Sequence, residues 1–297
     1  MTKTFVIVGA STGLGRAAAR VLSRRHRVIV AGRDVAQLRI AVPRAEAMRV
    51  DLADLADVAR FAGALPQRID GLICNAGVQA TGAPVFTRDG IEETFAVNHL
   101  AHLAIATRLA GQLGRVVFIG SGTHDPNDRV ARVFGFRGAR YTNVDRLAAG
   151  DGDPAVDDAQ RARDRYATSK LCNLLATFAL VQRGTDAIAF DPGLMPGTGL
   201  ARERGVLARF GWHTVMRAVA LIAPGASSAR RSGRALAWLA ADYTGPARYL
   251  DYRRREVTRS SDALRPELAG ELYASSLALI DRALARPFVR AQAAPAM

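Results

Sequence analysis

The chain has 297 residues and a mass of 31.7 kDa, with 49% hydrophobic residues, a mean hydropathy of +0.04 and a net charge of +14. These values exclude a disordered chain and indicate an ordinary globular protein. The most apolar irregular stretch, residues 215–224, is interrupted by Arg217 and is too short to cross a bilayer. The amino terminus shows no secretion signal, so a cytoplasmic location and no integral membrane segment are expected.

Arginine supplies almost all of the positive charge, because only Lys3 and Lys170 among the 41 basic residues are lysines. The densest arginine groups, Arg230 with Arg231 and residues 253–255, lack the interleaved aromatic residues of a nucleic-acid stacking platform. We therefore predict a solvated basic surface that attracts anionic cofactors, and no nucleic-acid partner.

The cysteine content argues against a metal site. Cys74 and Cys172 are the only cysteines, and neither lies in a Cys-x-x-Cys motif or beside a histidine ligand set. Two reduced thiols are expected, and no metal-binding residue is predicted.

Short β-rich runs alternate with longer helical patterns along the first 190 residues, as in consecutive βαβ units. The predicted strands are residues 4–8, 27–31, 47–50, 71–74, 115–119, 187–190 and 247–252. The predicted helices are residues 13–25, 35–41, 54–64, 89–113, 158–183, 227–241 and 267–284. The pattern predicts the α/β class: a Rossmann-type doubly wound parallel sheet of about seven strands, with helices on both faces and ligands at the carboxyl ends of the strands.

A single domain is expected over residues 1–285, with two irregular segments inside it. Residues 122–157 are polar and rich in glycine, aspartate and arginine, which predicts a long loop with at most a short helix. Residues 193–225 contain an apolar patch and are interpreted as a cover for a hydrophobic substrate. Residues 286–297 are expected to form a flexible tail.

A glycine-rich turn follows the first strand and precedes a helical pattern. Its sequence is Gly9-Ala10-Ser11-Thr12-Gly13-Leu14-Gly15. The glycines allow the backbone to approach a pyrophosphate, and the helix amino terminus offers free N–H groups. At the end of the second strand, Gly32 supplies no carboxylate for an adenosine ribose, and Arg33 supplies a cation that can pair with a 2′-phosphate. The predicted cofactor is therefore NADP(H).

Lys170 follows Tyr166 by four residues, so the two side chains lie one helical turn apart on the same face. Reduction of a carbonyl by hydride transfer requires a proton at the developing alkoxide. A phenol with a pKa of about 10 needs a nearby positive charge to act near neutral pH. We predict Tyr166 as the acid and Lys170 as the cation that lowers its pKa.

These motifs resemble the short-chain dehydrogenase/reductase family over nearly the whole chain. The family's glycine turn, acidic adenine contact and Asn-Ala-Gly element correspond to Gly9, Gly13, Gly15, Asp51, Asn75, Ala76 and Gly77. The resemblance implies the catalytic residues Asn98, Ser121, Tyr166 and Lys170. It implies cofactor contacts by Gly9, Ser11, Thr12, Gly13, Leu14, Gly15, Arg33, Asp51, Leu52, Asn75, Ala76, Gly77, Tyr166, Lys170, Pro192, Gly193 and Thr198.

Within the family, the chain is most similar to the branch of retinol dehydrogenases and light-dependent protochlorophyllide reductases. The similar stretches include residues 98–102, residues 166–173, and Pro192-Gly193 followed by Thr198-Gly199-Leu200. Ser121 is interpreted as the residue that holds the substrate oxygen, with Thr123 as an aid or substitute. The Asn98 side chain is expected to order water near Lys170. His99, His102 and His124 are expected in helix-surface or loop contacts.

Three functions fit these observations. The leading hypothesis is an NADPH-dependent reductase acting on a carbonyl, or a conjugated double bond, of an apolar small-molecule substrate. The second is light-dependent protochlorophyllide reduction, which is disfavoured because Asn75-Ala76-Gly77 departs from the Asn-Ala-Ala of the photoenzymes. The third is an NADP(H)-sensing binding protein without turnover, which would be expected to lack the tyrosine or the lysine. The sequence leaves the oligomeric state open.

Overall fold

A computed structural model describes residues 2–195, 226–246 and 248–285 of the chain. Seven strands occur in this part: β1 (Thr4–Val8), β2 (Arg27–Gly32), β3 (Glu46–Arg49), β4 (Gly71–Cys74), β5 (Val116–Ile119), β6 (Ala187–Asp191) and β7 (Tyr249–Asp251). They form one parallel sheet in the order β3-β2-β1-β4-β5-β6-β7. The Rossmann-type doubly wound sheet predicted from the sequence is confirmed.

The sheet is buried on both faces because its central strands are almost entirely apolar. Phe5 and Ile7 of β1 belong to one core cluster, and the intervening Val6 and Val8 belong to the cluster on the other face. This alternation follows from the two-residue period of a strand. Because parallel strands are covered on both faces, near-continuous apolar runs are their expected sequence pattern.

Ten α-helical segments accompany the strands in the described residues. They are α1 (Gly13–Leu22), α2 (Val35–Ala41), α3 (Leu55–Gly63), α4 (Glu93–Phe95), α5 (Ala101–Arg108), α6 (Arg129–Val133), α7 (Val144–Ala148), α8 (Asp158–Gln182), α9 (Ala229–Ala241) and α10 (Pro266–Ala285). Helices α1, α2 and α9 cover one face of the sheet, whereas α3, α5, α8 and α10 cover the other. None of the helices in the described ranges is long and apolar enough to cross a membrane.

The helix predicted over residues 89–113 is too long at both ends. Gly90 has a φ of +74°, which a right-handed helix does not accommodate, and the Asp89 carboxylate accepts the N–H of Leu55 at 3.0 Å. The helical segment begins at Glu93 and ends at Arg108, and a separate 3₁₀ turn covers Ala110–Gln112. The other observed boundaries differ from the predicted ones by no more than a few residues, most of them at helix and strand ends that fray.

The chain order of the strands places the candidate site. Strands β1, β2 and β3 follow one another toward one edge of the sheet, and the chain then crosses to the other side of β1 to form β4. This reversal of strand order creates a crevice at the carboxyl ends of β1 and β4. The segment after β5, predicted as a long loop, carries a 3₁₀ turn at Gly122–His124 and the short helices α6 and α7. The proposed apolar cover falls largely outside the described residues.

Candidate active site

The glycine turn after β1 has the geometry of a phosphate cradle. Gly9 has a φ of +87°, and a Cβ at this position would lie 2.6 Å from the Ala76 Cα. A Cβ on Gly15 would collide with the Gly9 carbonyl oxygen, which accepts a 2.6 Å hydrogen bond from Asn75 Nδ2. Asn75 thereby ties the ends of β1 and β4 together across the crevice, and neither glycine can be replaced without moving backbone.

The amino terminus of α1 is available for an anion. Thr12 occupies the N-cap position with an extended backbone, but its side chain makes no capping hydrogen bond, and the first turn holds no acidic residue. Uncapped N–H groups at the positive end of a ten-residue helix are suited to a phosphate. The turn therefore fits the pyrophosphate of a dinucleotide, for which Ser11, Gly13 and Leu14 supply the adjoining backbone.

Arg33 and Asp51 lie at the far side of the sheet, after β2 and β3. Arg33 is exposed and forms no ion pair with the described residues, whereas the neighbouring Asp34 caps α2 by accepting the N–H of Gln37. The Asp51 carboxylate accepts the N–H of Ala53 at 3.1 Å, and Leu52 is buried. The cation at Arg33 is thus free for a ligand, and the nearest acidic side chain in sequence is already engaged.

Tyr166 and Lys170 form a buried pair on α8. Their exposed fractions are 8% and 4%, and the Lys170 Nζ lies 5.3 Å from the centroid of the Tyr166 ring. The same Nζ donates a 3.3 Å hydrogen bond to the carbonyl of Ile119, and Asn173 Nδ2 donates to that carbonyl at 3.1 Å. These two bonds join α8 to the end of β5, two residues before Ser121.

The titration of the pair differs from the sequence-based expectation. Burial raises the pKa of Tyr166, and the Asp191 carboxylate acts in the same direction. Burial lowers the pKa of Lys170 to about 8, although Asp191 opposes this change. The expected lowering of the Tyr166 pKa by Lys170 is absent from this structure, because removal from water favours the neutral form of both groups.

The Asn98 side chain joins two segments of the chain in this structure, and its expected role in ordering water stays a prediction. Its Oδ1 accepts the N–H of Val78 at 2.7 Å, while Nδ2 donates to the Val78 carbonyl at 2.9 Å and to Ser169 Oγ at 3.0 Å. Both amide hydrogens are therefore used to join the loop after β4 to α8. Asn98 lies in a π turn over Ala96–Leu100, a local irregularity often found at functional sites.

Gly77 is packed against the Asn98 side chain. A Cβ built on Gly77 would lie 3.2 Å from Asn98 Oδ1 and 3.8 Å from Lys170 Nζ. The Asn75-Ala76-Gly77 element is thus brought to the same place as Asn98 and Lys170, as the sequence predicts for residues that share one site.

Ser121 occupies the carboxyl end of β5 and caps the 3₁₀ turn Gly122–His124, with its Oγ accepting the N–H of Thr123 at 3.3 Å. The Thr123 hydroxyl is buried and has no hydrogen-bond partner in the described part of the chain. A free hydroxyl beside Ser121 is consistent with the assisting role expected for Thr123.

The predicted surface positions of His99 and His102 are wrong. Both side chains are fully buried, and burial lowers their pKa values to about 3 and about 4. His99 Nε2 lies 3.2 Å from Ser276 Oγ on α10, and His102 Nδ1 lies 3.2 Å from the Asn98 carbonyl. Both are neutral residues of the packed interior, and His99 makes its contact with α10. His124 is also buried but does make the expected loop contacts, to the Ser121 carbonyl at 2.6 Å and the Ser260 N–H at 3.4 Å.

Asp191 and Tyr249 are site residues that the sequence did not reveal. Tyr249 donates to Asp191 Oδ2 at 3.2 Å, and Asp191 Oδ1 accepts the N–H of Gly193 at 2.8 Å. Burial raises the pKa of Asp191. The one available signal was the position of Asp191 at the carboxyl end of β6, where it precedes the Pro192-Gly193 turn.

The remaining predicted contacts are at this turn. Gly193 has a φ of +72°, and the Pro192 carbonyl accepts a 2.7 Å hydrogen bond from Ser232 Oγ on α9. Thr198 lies outside the described residues. No group of metal-ligating side chains occurs in the part of the chain described.

Comparisons with known proteins agree with this arrangement. The family model for short chain dehydrogenases matches residues 3–131. A protochlorophyllide reductase of Avena sativa is 32% identical over 239 residues, which cover 69% of this chain and 75% of that protein. A protein assigned as a daunorubicin C-13 ketoreductase of Streptomyces sp. strain C5 is 31% identical over 306 residues, which cover 94% and 92% of the two chains.

Solved structures share the fold. An uncharacterized protein from Mycobacterium paratuberculosis has a TM-score of 0.67 and 28% identity, and the match covers 94% of this chain and 93% of that one. A metagenomic short-chain oxidoreductase in complex with NADP has a TM-score of 0.53 and 22% identity over 84% and 95% of the two chains. This chain therefore belongs to the short-chain dehydrogenase/reductase family, whose members are oxidoreductases that bind nicotinamide cofactors, and within it to the retinol dehydrogenase and protochlorophyllide reductase branch.

Proposed function

We propose that this protein is an NADPH-dependent reductase that transfers a hydride to a carbonyl, or to a conjugated double bond, of an apolar substrate. The observation that carries the proposal is the buried pair of Tyr166 and Lys170, fixed to the end of β5 through the Ile119 carbonyl. A protein that only senses the cofactor would have no need to keep a desolvated phenol beside an ammonium. The pair therefore favours turnover over binding alone.

The chemical roles follow from the charges of the site. A bound nicotinamide would supply the hydride. Because burial raises the pKa of Tyr166, the phenol stays protonated near neutral pH and can donate its proton to the reduced oxygen, or to carbon if a double bond is reduced. Lys170, with a pKa of about 8, is mostly cationic at pH 7 and compensates the phenolate that this donation leaves. Ser121 is proposed to hold the substrate oxygen through its hydroxyl.

The choice of NADPH rests on Arg33. Its guanidinium is exposed at the end of β2 and is not paired with any carboxylate of the described residues. An arginine matches a 2′-phosphate through two parallel N–H donors. The glycine turn supports dinucleotide binding, and Arg33 supports the phosphorylated form.

An apolar substrate is supported by side chains in the two segments that flank the site. Phe136, in the segment after β5, has its ring centroid 5.9 Å from that of Tyr166. Val133, in the same segment, is 83% exposed, and Phe86, in the segment after β4, is 48% exposed. The Streptomyces relative bears the name of a ketoreductase and aligns over nearly its whole length, which favours a ketone as the acceptor.

The proposal is tested by following the absorbance of the reduced nicotinamide as NADPH is oxidised in the presence of a panel of apolar aldehydes, ketones and enones. Tyr166→Phe should abolish turnover with at least one substrate while NADPH still binds. Tyr141→Phe is the matched control, because the Tyr141 hydroxyl is buried and makes no hydrogen bond with the described residues. Absence of turnover with the whole panel, or equal rates in Tyr166→Phe and the unaltered protein, would reject the proposal.

A second function is favoured by the names of several relatives. Protochlorophyllide reductases of Avena sativa and Hordeum vulgare are 32% identical to this chain over 239 and 273 residues. Illumination of the protein with NADPH and protochlorophyllide, followed by absorbance spectroscopy, decides between the two. A light-dependent loss of the pigment band would favour photoreduction, whereas carbonyl turnover in darkness with an unchanged pigment spectrum would favour the first proposal.

A further inference from the structure

The two densest arginine groups of the sequence, separated by about twenty residues, meet in one cavity. This arginine pocket has a volume of about 580 Å³ and is lined by Arg230, Arg231, Arg234, Tyr252, Arg253 and Arg254. It is formed by the first turns of α9 and the chain that leaves β7. The sequence predicted a solvated basic surface, and these arginines are exposed, but the fold gathers five guanidinium groups around a single space instead of dispersing them.

The arginines of the pocket have no carboxylate counterion among the described residues, unlike several arginines elsewhere in the chain. Arg137 contacts two carboxylates, and Arg115 forms an ion pair of 2.7 Å with Asp186. None of the five pocket arginines forms an ion pair with any described residue, and their one side-chain hydrogen bond runs from Arg253 Nε to the Tyr252 hydroxyl at 3.0 Å. Five uncompensated positive charges at close quarters repel one another.

Local electrostatics and backbone geometry add to this cost. Arg230 and Arg231 lie in the first turn of α9, which has no acidic residue, although the positive end of a helix disfavours cations. Arg254 has a φ of +65°, and it is the one non-glycine residue with a positive φ among the residues described. Such backbone strain is found preferentially at ligand sites. A bound anion would relieve the charge repulsion and the unfavourable helix-end interaction together.

Aromatic rings order the guanidinium groups before any ligand binds. Arg231 and Arg253 lie over the Tyr252 ring, at 5.1 and 5.3 Å from its centroid, and Arg254 lies 4.5 Å from the centroid of Trp238. Tyr252 itself is 5% exposed and therefore rigidly held. A guanidinium that stacks on a ring keeps its N–H edge available for a bidentate contact with an oxyanion. Less entropy is then lost on binding than with freely moving arginines.

We propose that the arginine pocket binds a small polyanion, a molecule with two or more phosphate or carboxylate groups. Its volume lies within the range of about 300 to 1,000 Å³ that small-molecule sites occupy. Five guanidinium groups exceed what one phosphate can engage, which favours a ligand with several anionic groups. The site is separate from Tyr166, and the inference does not depend on the proposed reductase activity.

The arginine pocket lies next to the Pro192-Gly193 turn, which is one of the predicted cofactor contacts. Binding of a ligand in the pocket is therefore expected to stabilise α9 and this turn. Ser232, between the pocket arginines of α9, donates to the Pro192 carbonyl at 2.7 Å, and β7 pairs with β6 through Asp251 and Asp191. A ligand that binds the folded pocket raises the melting temperature by mass action.

The test is calorimetric titration of the full chain with pyrophosphate and, separately, with citrate, at low ionic strength and in the presence of excess NADP⁺ to occupy the glycine turn. The pocket variant Arg230→Gln/Arg234→Gln is compared with Arg24→Gln/Arg25→Gln, which removes the same charge from exposed positions after α1. We expect at least one anion to bind the unaltered protein, with about tenfold or greater weakening in the pocket variant and no change in the control. Pyrophosphate binding without citrate binding would identify a phosphate ligand, and the reverse a carboxylate ligand.

Melting temperatures without added anion provide a second readout. Because substitution removes repulsion, the pocket variant should be at least as stable as the unaltered protein when no anion is present. Equal anion affinity in all three proteins, or no binding of either anion, would overturn the proposal. Pocket-dependent binding of a DNA duplex without binding of pyrophosphate or citrate would also overturn it, in favour of a nucleic-acid surface. If NADP⁺ fails to bind, the cofactor proposal fails, while the comparison of the variants still decides this one.

Discussion

Lys170→Arg separates the need for a lysine from the need for a positive charge. Lys170 is 4% exposed, its Nζ lies 3.3 Å from the Ile119 carbonyl, and the Cβ position of Gly77 is 3.8 Å away. The larger, planar guanidinium does not fit this space without displacing its neighbours, and overpacking of this kind costs about 1 to 3 kcal/mol. Because Tyr166 depends on a correctly placed cation, we expect kcat/KM to fall about 10² to 10⁴-fold.

The other lysine of the chain is the matched control. Lys3 is partly buried and donates from Nζ to the Ala241 carbonyl at 2.6 Å, far from Tyr166 in the fold. Lys3→Arg should leave kcat/KM for NADPH and the best carbonyl substrate unchanged. Melting curves and NADPH dissociation constants for both variants distinguish loss of chemistry from loss of folding. A Lys170→Arg protein that folds and retains near-normal turnover would show that any cation suffices, and would refute the reasoning.

Three further changes test the cofactor side and the charges of the site. Gly15→Ala places a Cβ against the Gly9 carbonyl and should weaken NADPH binding by about tenfold or more. Gly63→Ala is the control and should leave binding unchanged, because a Cβ at Gly63 would meet nothing within 4 Å. Equal NADPH dissociation constants for the two variants would contradict a tight phosphate turn. Arg33→Asp should weaken NADPH and improve NADH, measured as the ratio of their kcat/KM values, and an unchanged ratio would remove Arg33 from the 2′-phosphate contact. The Asp191 carboxylate raises the pKa of Lys170, so Asp191→Asn should lower that pKa. We expect kcat/KM to decline at alkaline pH near the Lys170 pKa of about 8, and this decline should move to lower pH in the variant. A move to higher pH would contradict the direction assigned to the effect of Asp191 on Lys170.

The sheet and its order of elements could be predicted because they depend on local patterns. Apolar runs of four or five residues separated by helical periodicity are sufficient to specify parallel strands covered on both faces. Element ends were less predictable. The sequence pattern predicts a helix around Asn98 that is longer than the observed one, because Gly90 has a positive φ. In addition, the Asp89 carboxylate accepts a hydrogen bond from Leu55, which lies 34 residues away in the sequence.

Candidate site residues could be predicted where a chemical role requires particular residue types at a fixed separation in the sequence. The Tyr166 and Lys170 pair and the glycine turn meet this condition, since one helical turn or one backbone bend links their members. The burial of His99 was not predictable from local sequence, because its contact with Ser276 of α10 joins residues 177 positions apart.

Asp191 shows most clearly where sequence reasoning ends. Aspartate is a common residue at turns, so its occurrence before Pro192-Gly193 does not point to a site. The residues around Asp191 in the sequence do not indicate that its charge acts on Tyr166. The order of the strands places Asp191 at the site, because β6 lies beside β5 and the carboxyl ends of both strands meet at the same edge of the sheet as Ser121. Tyr249 of β7 donates a hydrogen bond to the Asp191 carboxylate and helps to fix its position. The same carboxylate raises the pKa of both groups, so it favours the ammonium of Lys170 and the protonated phenol of Tyr166, the form required of the proposed acid. The proposed catalytic pair, which appears complete in the sequence, therefore has its charge balance influenced by a third residue.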